Sequence, residues 1–239
     1  ITNAYSFNLM LRNFRQNLSS TAQIYTEQIS GKVDKINSGS LELVSLAASS
    51  QNYYTSSPLG RYLTQQDILT RLQDRIRYVE SSDLYFFYRT DSDELLTALS
   101  NRASTGSSYF WNQYLMLPPT QPANTWFSVT CNGETWLMCY YNVSQVRVGA
   151  AVRAKTLLQS LYADTGLVQD SGFALAGLDG TIVYSSQPDL MACGTSLAGH
   201  IPASLIVESH TVPEVGTLLL FRPSSDLLHQ LSGSFGWLL

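Results

Sequence analysis

Few side chains in this sequence have the type and spacing that catalysis needs. The three histidines, His200, His210 and His229, are isolated and form no HExxH or HxH motif. No GxSxG nucleophile turn, Walker loop or GxGxxG sequence occurs either. These absences argue against a hydrolase, a nucleotide-dependent enzyme or a dehydrogenase. We therefore expect no catalytic residues and no cofactor.

Neither the acidic residues nor the cysteines have the spacing of a metal site. Asp91 and Asp93 could begin a calcium loop, but the glycine and the distal glutamate of such a loop are missing. A turn followed by an acidic pair that starts a helix explains them better. The three cysteines are too few and too scattered for a disulfide framework or a zinc site. We therefore expect them to be small, buried, apolar side chains. They are Cys131, Cys139 and Cys193.

The sharpest local signal is a β-hairpin around Asn132-Gly133, a dipeptide typical of two-residue hairpin turns. The flanking segments, Trp126 to Cys131 and Glu134 to Tyr141, are rich in aromatic and β-branched residues. Counting outward from the turn pairs Cys131 with Glu134, Val129 with Trp136, and Phe127 with Met138.

The predicted hairpin has two different faces. One is an apolar wall expected to pack on a long helix: Phe127, Val129, Trp136, Met138 and Tyr140. The other mixes rings with hydroxyls: Trp126, Ser128, Thr130, Thr135, Leu137, Cys139 and Tyr141. Small-molecule pockets combine apolar walls with a few fixed polar groups, so the second face lines either a pocket or a half-exposed surface.

On the pocket hypothesis, the ligand-binding residues are Trp126, Ser128, Thr130, Tyr141, Trp111, Tyr85 and Arg147. In this hypothesis the aromatic rings form walls and the hydroxyls orient the ligand. Arg147 would contact the ligand if the ligand is anionic.

Composition points to a folded chain with an unusual surface. Of 239 residues 44% are hydrophobic, including 14 Tyr, 9 Phe and 4 Trp, which is ample for a core. Only 13% are charged, about half the usual share, so hydroxyl and amide groups supply much of the polarity, as is common outside the cytoplasm. A net charge of −4 without a basic cluster predicts no nucleic-acid partner.

A long amphipathic helix is predicted over residues 1–50. Apolar or small residues recur in steps of three and four, close to an 11-residue repeat that a nearly straight helix keeps on one face. About 45 helical residues would span roughly 65 Å. A receptor that carries a signal over a distance uses such an element. The stripe comprises Phe7, Leu11, Phe14, Leu18, Ala22, Tyr25, Ile29, Val33, Ile36, Ser40, Leu43 and Ala47.

The remaining elements are predicted from turn signals and periodicity. Ser57-Pro58-Leu59-Gly60 is expected to be a break, followed by a helix capped by Thr64. Then come a strand at Leu84 to Tyr88, a loop from Ser100 to Thr125 with a helix at Tyr109 to Tyr114, a strand at Val146 to Val152 and a helix at Ala154 to Tyr162. A smaller sheet follows, with strands Phe173 to Leu178, Thr181 to Ser185, Leu205 to Val212 and Thr217 to Phe221, and then an exit helix from Ser225.

This order of elements resembles the double Cache sensor regions of bacterial receptors. The run from Gly172 to Ser185, with its turn Asp179-Gly180-Thr181-Ile182, looks like the opening hairpin of the membrane-proximal module. The resemblance implies an α+β fold, a long N-terminal helix with two PAS-like antiparallel-sheet modules. The implied divisions are residues 1–50 for the helix, 51–162 for the larger membrane-distal module, 163–223 for the smaller membrane-proximal module and 224–239 for the exit helix.

The same resemblance implies a function. The chain would be the extracytoplasmic part of a bacterial cell-membrane protein, with flanking transmembrane helices and a homodimer through the long helix. It would bind an unknown small molecule in the distal module and signal to a histidine kinase, because residues 1–51 and 84–88 are similar to Gram-positive sensor kinases. Alternatives are a chemoreceptor, a membrane-anchored transcription regulator or a structural ectodomain without a ligand.

One departure from the family concerns the ligand. Double Cache domains that bind amino acids tend to carry a Tyr…Arg-x-Trp-Tyr run, whereas here Asn124 stands two residues before Trp126. The aspartate expected downstream is also missing from its strand, because Asp164 and Asp170 lie in the connecting stretch. This departure weighs against an amino-acid ligand.

Overall fold

The computed structural model describes residues 2–49, 57–78, 82–102, 105–163, 171–198 and 201–225. Its helices are α1 (Thr2–Ser49), α2 (Pro58–Tyr78), α3 (Thr105–Tyr114), α4 (Ala154–Leu157) and α5 (Gln159–Ala163). Its strands are β1 (Leu84–Arg89), β2 (Glu94–Leu99), β3 (Phe127–Cys131), β4 (Glu134–Val143), β5 (Val146–Arg153), β6 (Gly172–Gly177), β7 (Ile182–Ser185), β8 (Leu205–Val212) and β9 (Gly216–Pro223). The α+β fold class is confirmed.

The chain forms two compact units. The five-stranded unit comprises Gly31–Leu158, and its sheet has the order β2-β1-β5-β4-β3. The four-stranded unit comprises Ile1–Ser30 and Gln159–Leu239, and its sheet has the order β7-β6-β9-β8. All strand pairs are antiparallel. Helix α1 contributes to both units.

The prediction of one long helix is confirmed, since α1 continues unbroken to Ser49. The predicted stripe is its buried face from Leu18 onward: Leu18, Ala22, Tyr25, Ile29, Val33, Ile36, Ser40, Leu43 and Ala47 are all buried. The burial of one side chain every three or four residues explains why Gly31 and Gly39 do not end the helix, because tertiary packing outweighs their low propensity.

Each half of α1 packs on the sheet of its own unit. In the four-stranded unit, Ser19 Oγ lies 3.1 Å from His210 Nε2, and the Arg222 guanidinium lies 5.5 Å from the centroid of the Phe14 ring. In the five-stranded unit, Tyr85 of β1 packs directly against Gly39. Helix α1 therefore contacts the sheet of each unit.

The two helical glycines predict opposite effects of an added methyl group. A Cβ on Gly31 would meet nothing within 4 Å, whereas a Cβ on Gly39 would lie 2.6 Å from the Tyr85 hydroxyl oxygen. We expect Gly31→Ala to raise the free energy of unfolding by about 0.5–1 kcal/mol, since alanine is the better helix former. Gly39→Ala should lower it, because the buried Tyr85 ring must shift. Urea denaturation of both variants measures this, and a stabilising Gly39→Ala would contradict the packing of α1 on β1.

Helix α2 begins earlier than predicted. The expected break at Ser57-Pro58 is instead the helix start, and Ser57 Oγ accepts a hydrogen bond from the Gly60 N–H at 3.2 Å. Proline suits this first helical position because its missing N–H would be unpaired there anyway. Thr64 is not the cap, and its hydroxyl donates to the Gly60 carbonyl.

The predicted strands are confirmed with small shifts, and one strand was missed. The hairpin register is as predicted, with Val129 opposite Trp136 and Phe127 opposite Met138. Strand β2 had not been predicted: the acidic residues from Asp91 onward lead into a strand at Glu94, where we had expected a helix start. The predicted connecting helix is two short helices, α4 and α5, separated at Leu158.

The three cysteines all lie in the described part of the chain and form no disulfide, but they do not share one environment. Cys131 and Cys139 are buried, whereas Cys193 is exposed and not the buried apolar residue predicted. Some of the residues named in the sequence analysis lie outside the described residues: His200, His229, Asp164, Asp170 and the exit helix beyond Ser225. Among the helices that are described, none has the length and apolar character to cross a membrane.

A buried ion pair joins β5 to the segment that precedes β1. Asp83, 1% exposed at its side chain, accepts from Arg153 Nε at 3.2 Å and Nη2 at 3.0 Å. Its carboxylate also accepts from the Arg153 backbone N–H and from Ser100 Oγ, both at 2.9 Å. Burial alone would raise the pKa of Asp83, but the hydrogen bonds and charge of Arg153, with help from Ser100, hold the pKa below its usual 3.8.

Candidate functional site

The apolar wall of the hairpin packs on α3 and not on the long helix, contrary to the prediction. Trp136 is fully buried, and its ring centroid lies 5.2 Å from that of Trp111 in α3. The surrounding core draws on the sheet, on α3 and on the segment after it: Leu84, Phe86, Tyr88, Trp111, Leu115, Val129, Cys131, Trp136, Met138, Tyr140 and Ala151, with Phe127 only partly buried at its rim. The opposite face, which carries Tyr85, is the one against α1.

A segment after α3 crosses this wall. Residues 115–123, which we call the strap, contain Leu117-Pro118-Pro119-Thr120-Gln121-Pro122. Arg147 of β5 donates from Nη1 to the carbonyls of Leu115 and Leu117, each at 3.1 Å. The Tyr140 hydroxyl donates to the Gln121 carbonyl. The strap is thus tied at two points to the face of the sheet.

Between the strap and the sheet lies a cavity of about 90 Å³. It is smaller than the roughly 300–1,000 Å³ of sites for drug-sized ligands. Apolar and aromatic side chains predominate in its lining, which consists of Tyr114, Leu115, Leu117, Pro118, Pro119, Thr120, Gln121, Phe127, Met138, Tyr140 and Arg147. A ligand here would be short or would displace the strap.

Arg147 supplies the charge of this cavity. The residue is 8% exposed, and its guanidinium carbon lies 5.5 Å from the ring centroids of both Tyr88 and Tyr140. Burial lowers the pKa of Arg147, and the two phenols oppose that effect. An arginine nevertheless stays protonated at neutral pH. The cavity therefore presents a fixed positive charge among aromatic rings.

The structure does not bring the predicted ligand-binding residues together. Trp111 and Arg147 lie on the strap side of the sheet, with Trp111 in the core. Tyr85 lies against α1, and Tyr141 alternates with Tyr140 and so points to that same side.

The two hydroxyls proposed as polar contacts also fall elsewhere. Ser128 and Thr130 are exposed and point away from the strap, since they alternate with Phe127 and Val129 along β3. Trp126 is buried just before β3, outside the residues that line the cavity. Of the seven predicted residues, only Arg147 lines the cavity.

The cavity residues that were missed belong to the wall we had assigned to the helix. Phe127, Met138 and Tyr140 line the cavity, together with Leu117 and Gln121 of the strap. The sequence did contain a signal that Tyr140 lies on the same face of the sheet as Arg147. The two-residue turn after Val143 sets Arg147 opposite Asn142, so Arg147 shares a face with Tyr140 and not with Tyr141.

In the described part of the chain, no group of three or more His, Cys, Asp or Glu residues is arranged to hold a metal ion. The two aspartates in the turn between β1 and β2 are engaged by other residues. Asp93 accepts from the Tyr88 hydroxyl at 2.7 Å, and Asp91 pairs with Arg89 at 3.0 Å. The chemistry that the cavity offers is recognition of a small molecule by charge and by apolar contact.

No protein-family model matches this chain, and no curated protein matches it. Solved structures do. The sensory domain of the Campylobacter jejuni chemoreceptor Tlp3 with isoleucine bound superposes with a TM-score of 0.55 at 9% identity, covering 94% of this chain and 98% of that one.

Two Pseudomonas structures are similar to the same extent. The ligand-binding domain of the P. aeruginosa amino acid chemoreceptor PctB with L-Arg gives a TM-score of 0.53 at 12% identity, covering 90% of this chain and 97% of that one. The ligand-binding domain of the P. fluorescens chemoreceptor CtaA with L-serine gives a TM-score of 0.51 at 13% identity, covering 90% of this chain and 99% of that one. At such low identity the likeness concerns the fold. The chain therefore has the fold of bacterial chemoreceptor ligand-binding domains, a long helix with two PAS-like antiparallel sheets, as the double Cache resemblance implied.

Proposed function

We propose that this chain is the extracytoplasmic sensing region of a bacterial membrane receptor and that it binds a small molecule in the cavity under the strap. The observation that carries the proposal is the buried Arg147 in an otherwise mostly apolar cavity of the five-stranded unit. A ligand site needs polar groups held by a rigid scaffold, and Arg147 and Tyr140 stand on central strands of the sheet.

One core cluster of the four-stranded unit is apolar and comprises Ala174, Ala176, Ile182, Met191, Leu205, Leu219 and Phe221. These side chains pack together but have no group to orient a polar molecule. The unit also contains a buried arginine, Arg222, whose guanidinium lies 5.5 Å from the centroid of the Phe14 ring. What supports ligand binding in the five-stranded unit is that its buried arginine, Arg147, lines a cavity.

Ligand binding would reach α1 through the sheet. The strap is tied to Arg147 and Tyr140 on one face, and α1 packs against Tyr85 on the other face. A ligand that contacts Arg147 would alter the packing of β5, whose neighbour β1 carries Tyr85. Signalling then consists of a shift of α1 against its copy in a homodimer.

The output module lies outside this chain, and two kinds are favoured by different observations. The local similarity of residues 1–51 and 84–88 to sensor kinases favours a histidine kinase, which is our first proposal. The three neighbours described above are chemoreceptor domains, which favours a chemoreceptor. Phosphate transfer from ATP to a histidine of the full-length receptor, tested in membranes, separates the two.

A thermal-denaturation screen tests the sensing proposal. The panel should contain amino acids, organic acids, sugars and peptides. A ligand at about 100 times its Kd should stabilise the chain by about 2.7 kcal/mol, because it binds the folded state alone. The stabilisation should be absent in Arg147→Ala. That variant should itself be less stable than the wild type, because it also loses the hydrogen bonds to Leu115 and Leu117.

A control variant removes an exposed charge from the same unit. Arg71 of α2 is 59% exposed at its side chain and pairs with Asp67, which is also exposed. Arg71→Ala should leave both the melting temperature and the ligand response unchanged. If no compound in the panel stabilises the wild-type chain, the sensing proposal is wrong and a structural ectodomain is favoured.

A further inference from the structure

The guanidinium of Arg147 is buried without a carboxylate partner among the described residues. Arg89 and Arg153, on the same sheet, each pair with an aspartate at 3.0 Å. Arg147 has two carbonyl acceptors and two aromatic rings instead. A buried charge without a counter-ion costs several kcal/mol, so a site that retains one is suited to receive an anion.

The hydrogen bonds of Arg147 use one side of its planar guanidinium fork and leave the Nε–Nη2 edge available to a ligand. Both strap carbonyls accept from Nη1. Nε is buried and has no acceptor in the described part of the chain, and no described residue accepts from Nη2. The Nε–H and one Nη2–H are parallel donors, and together they match the two oxygens of a carboxylate.

The rest of the cavity suits a short apolar tail and lacks a site for a positive charge. Phe127, Met138 and Leu117 supply apolar contact, and no aspartate or glutamate is among the residues that line the cavity. An amino acid would have to bury its ammonium group beside the Arg147 charge with no carboxylate to pair it. The volume of about 90 Å³ favours a molecule of a few carbon atoms.

We propose that the cavity binds a short-chain monocarboxylate, with its carboxylate on the Nε–Nη2 edge of Arg147 and its tail against Phe127 and Met138. This inference rests on the proposed sensing function and narrows its ligand class. It differs from the ligands of the amino acid-bound neighbours, to which this chain is similar in fold.

Three probes of nearly equal size test the inference by titration calorimetry on the whole chain. Propionate has the carboxylate and the tail, L-alanine adds an ammonium group, and propionamide removes the negative charge. Propionate should bind saturably. L-Alanine and propionamide should each bind at least tenfold more weakly, since one brings an unpaired buried ammonium and the other loses the charge pairing.

Arg147→Lys separates charge from geometry. Lysine keeps the positive charge but has no planar fork, so propionate affinity should fall at least tenfold. Arg71→Lys, at an exposed position of α2, should leave the affinity unchanged. If Arg147→Lys binds propionate as tightly as the wild type does, the planar guanidinium of Arg147 is not the group that recognises the carboxylate. The wild-type comparison of probes stands even if Arg147→Lys fails to fold.

The outcomes distinguish this inference from the proposed function. L-Alanine binding as tightly as propionate would overturn the monocarboxylate class and leave sensing in place. So would the absence of propionate binding alongside a sugar or peptide that stabilises the chain in the screen. Failure of every compound in the screen would overturn both.

Discussion

Replacing Trp136 with alanine is expected to lower the free energy of unfolding by about 3–5 kcal/mol, as large aromatic truncations in cores do. The Trp136 ring is fully buried in an edge-to-face contact with Trp111, and the Arg153 guanidinium lies 5.8 Å from its centroid. Its removal leaves a cavity between the sheet and α3. Urea denaturation followed by circular dichroism measures the loss.

The control for this variant is an aromatic residue on the same helix as Trp111. Tyr109 is 69% exposed, so Tyr109→Ala should change the free energy of unfolding by no more than about 0.5 kcal/mol. If Trp136→Ala were as stable as Tyr109→Ala, the register of the hairpin would be off by one residue, since such a slip moves every side chain to the other face.

Breaking the buried pair between Asp83 and Arg153 should have an effect of similar size. Asp83→Ala leaves the guanidinium without its carboxylate and Ser100 without its acceptor, and we expect a loss of about 3–5 kcal/mol. Asp67→Ala removes a carboxylate from the exposed pair with Arg71 and should cost less than about 1 kcal/mol. Equal losses in the two variants would contradict the burial of Asp83.

The same pair predicts a response to acid. Because the pKa of Asp83 is lowered in the folded state, its contribution to stability is fully present well above the usual value of 3.8. That contribution is lost as the pH falls below 3.8 and through the folded-state pKa. The difference in stability between the wild type and Asp83→Asn should therefore shrink in that range. A difference that stays constant would mean that Asp83 titrates normally.

The sequence predicted best where one pattern repeats many times. The stripe of α1 has a residue every three or four positions over more than ten turns, and packing buries those residues from Leu18 to Ala47. The Asn132-Gly133 turn determined the register of β3 and β4, because a two-residue loop allows only one pairing. Both signals are local, so a single sequence carries them.

The prediction failed where the outcome depends on packing between distant segments. Alternation showed that Val129 and Trp136 share a face of the hairpin, but not that α3 covers that face. Strand β2 pairs only with β1 at the sheet edge, and its Glu-Leu-Leu-Thr-Ala-Leu sequence has no two-residue alternation. Pro58 was interpreted as a helix breaker, although proline is also favoured at a helix start.

The candidate site was likewise predicted in part: its residue types were visible in the sequence, but its long-range contacts were not. Arg147 was identified as a polar contact from its residue type, but it was grouped with Tyr141 and Ser128, which point to the other face. The strap was predicted only as a long loop. Its hydrogen bonds to Arg147 and Tyr140 join residues about 20 to 30 positions apart, and no local pattern reveals such contacts.

The central claim is that the chain binds a small molecule under the strap. A crystal structure of the chain with propionate, or with the best ligand from the screen, tests it most directly. We predict electron density between the strap and the sheet, with the ligand within hydrogen-bond distance of Arg147 and in contact with Phe127 and Met138. Density in the four-stranded unit, with the space under the strap filled by side chains, would contradict the claim.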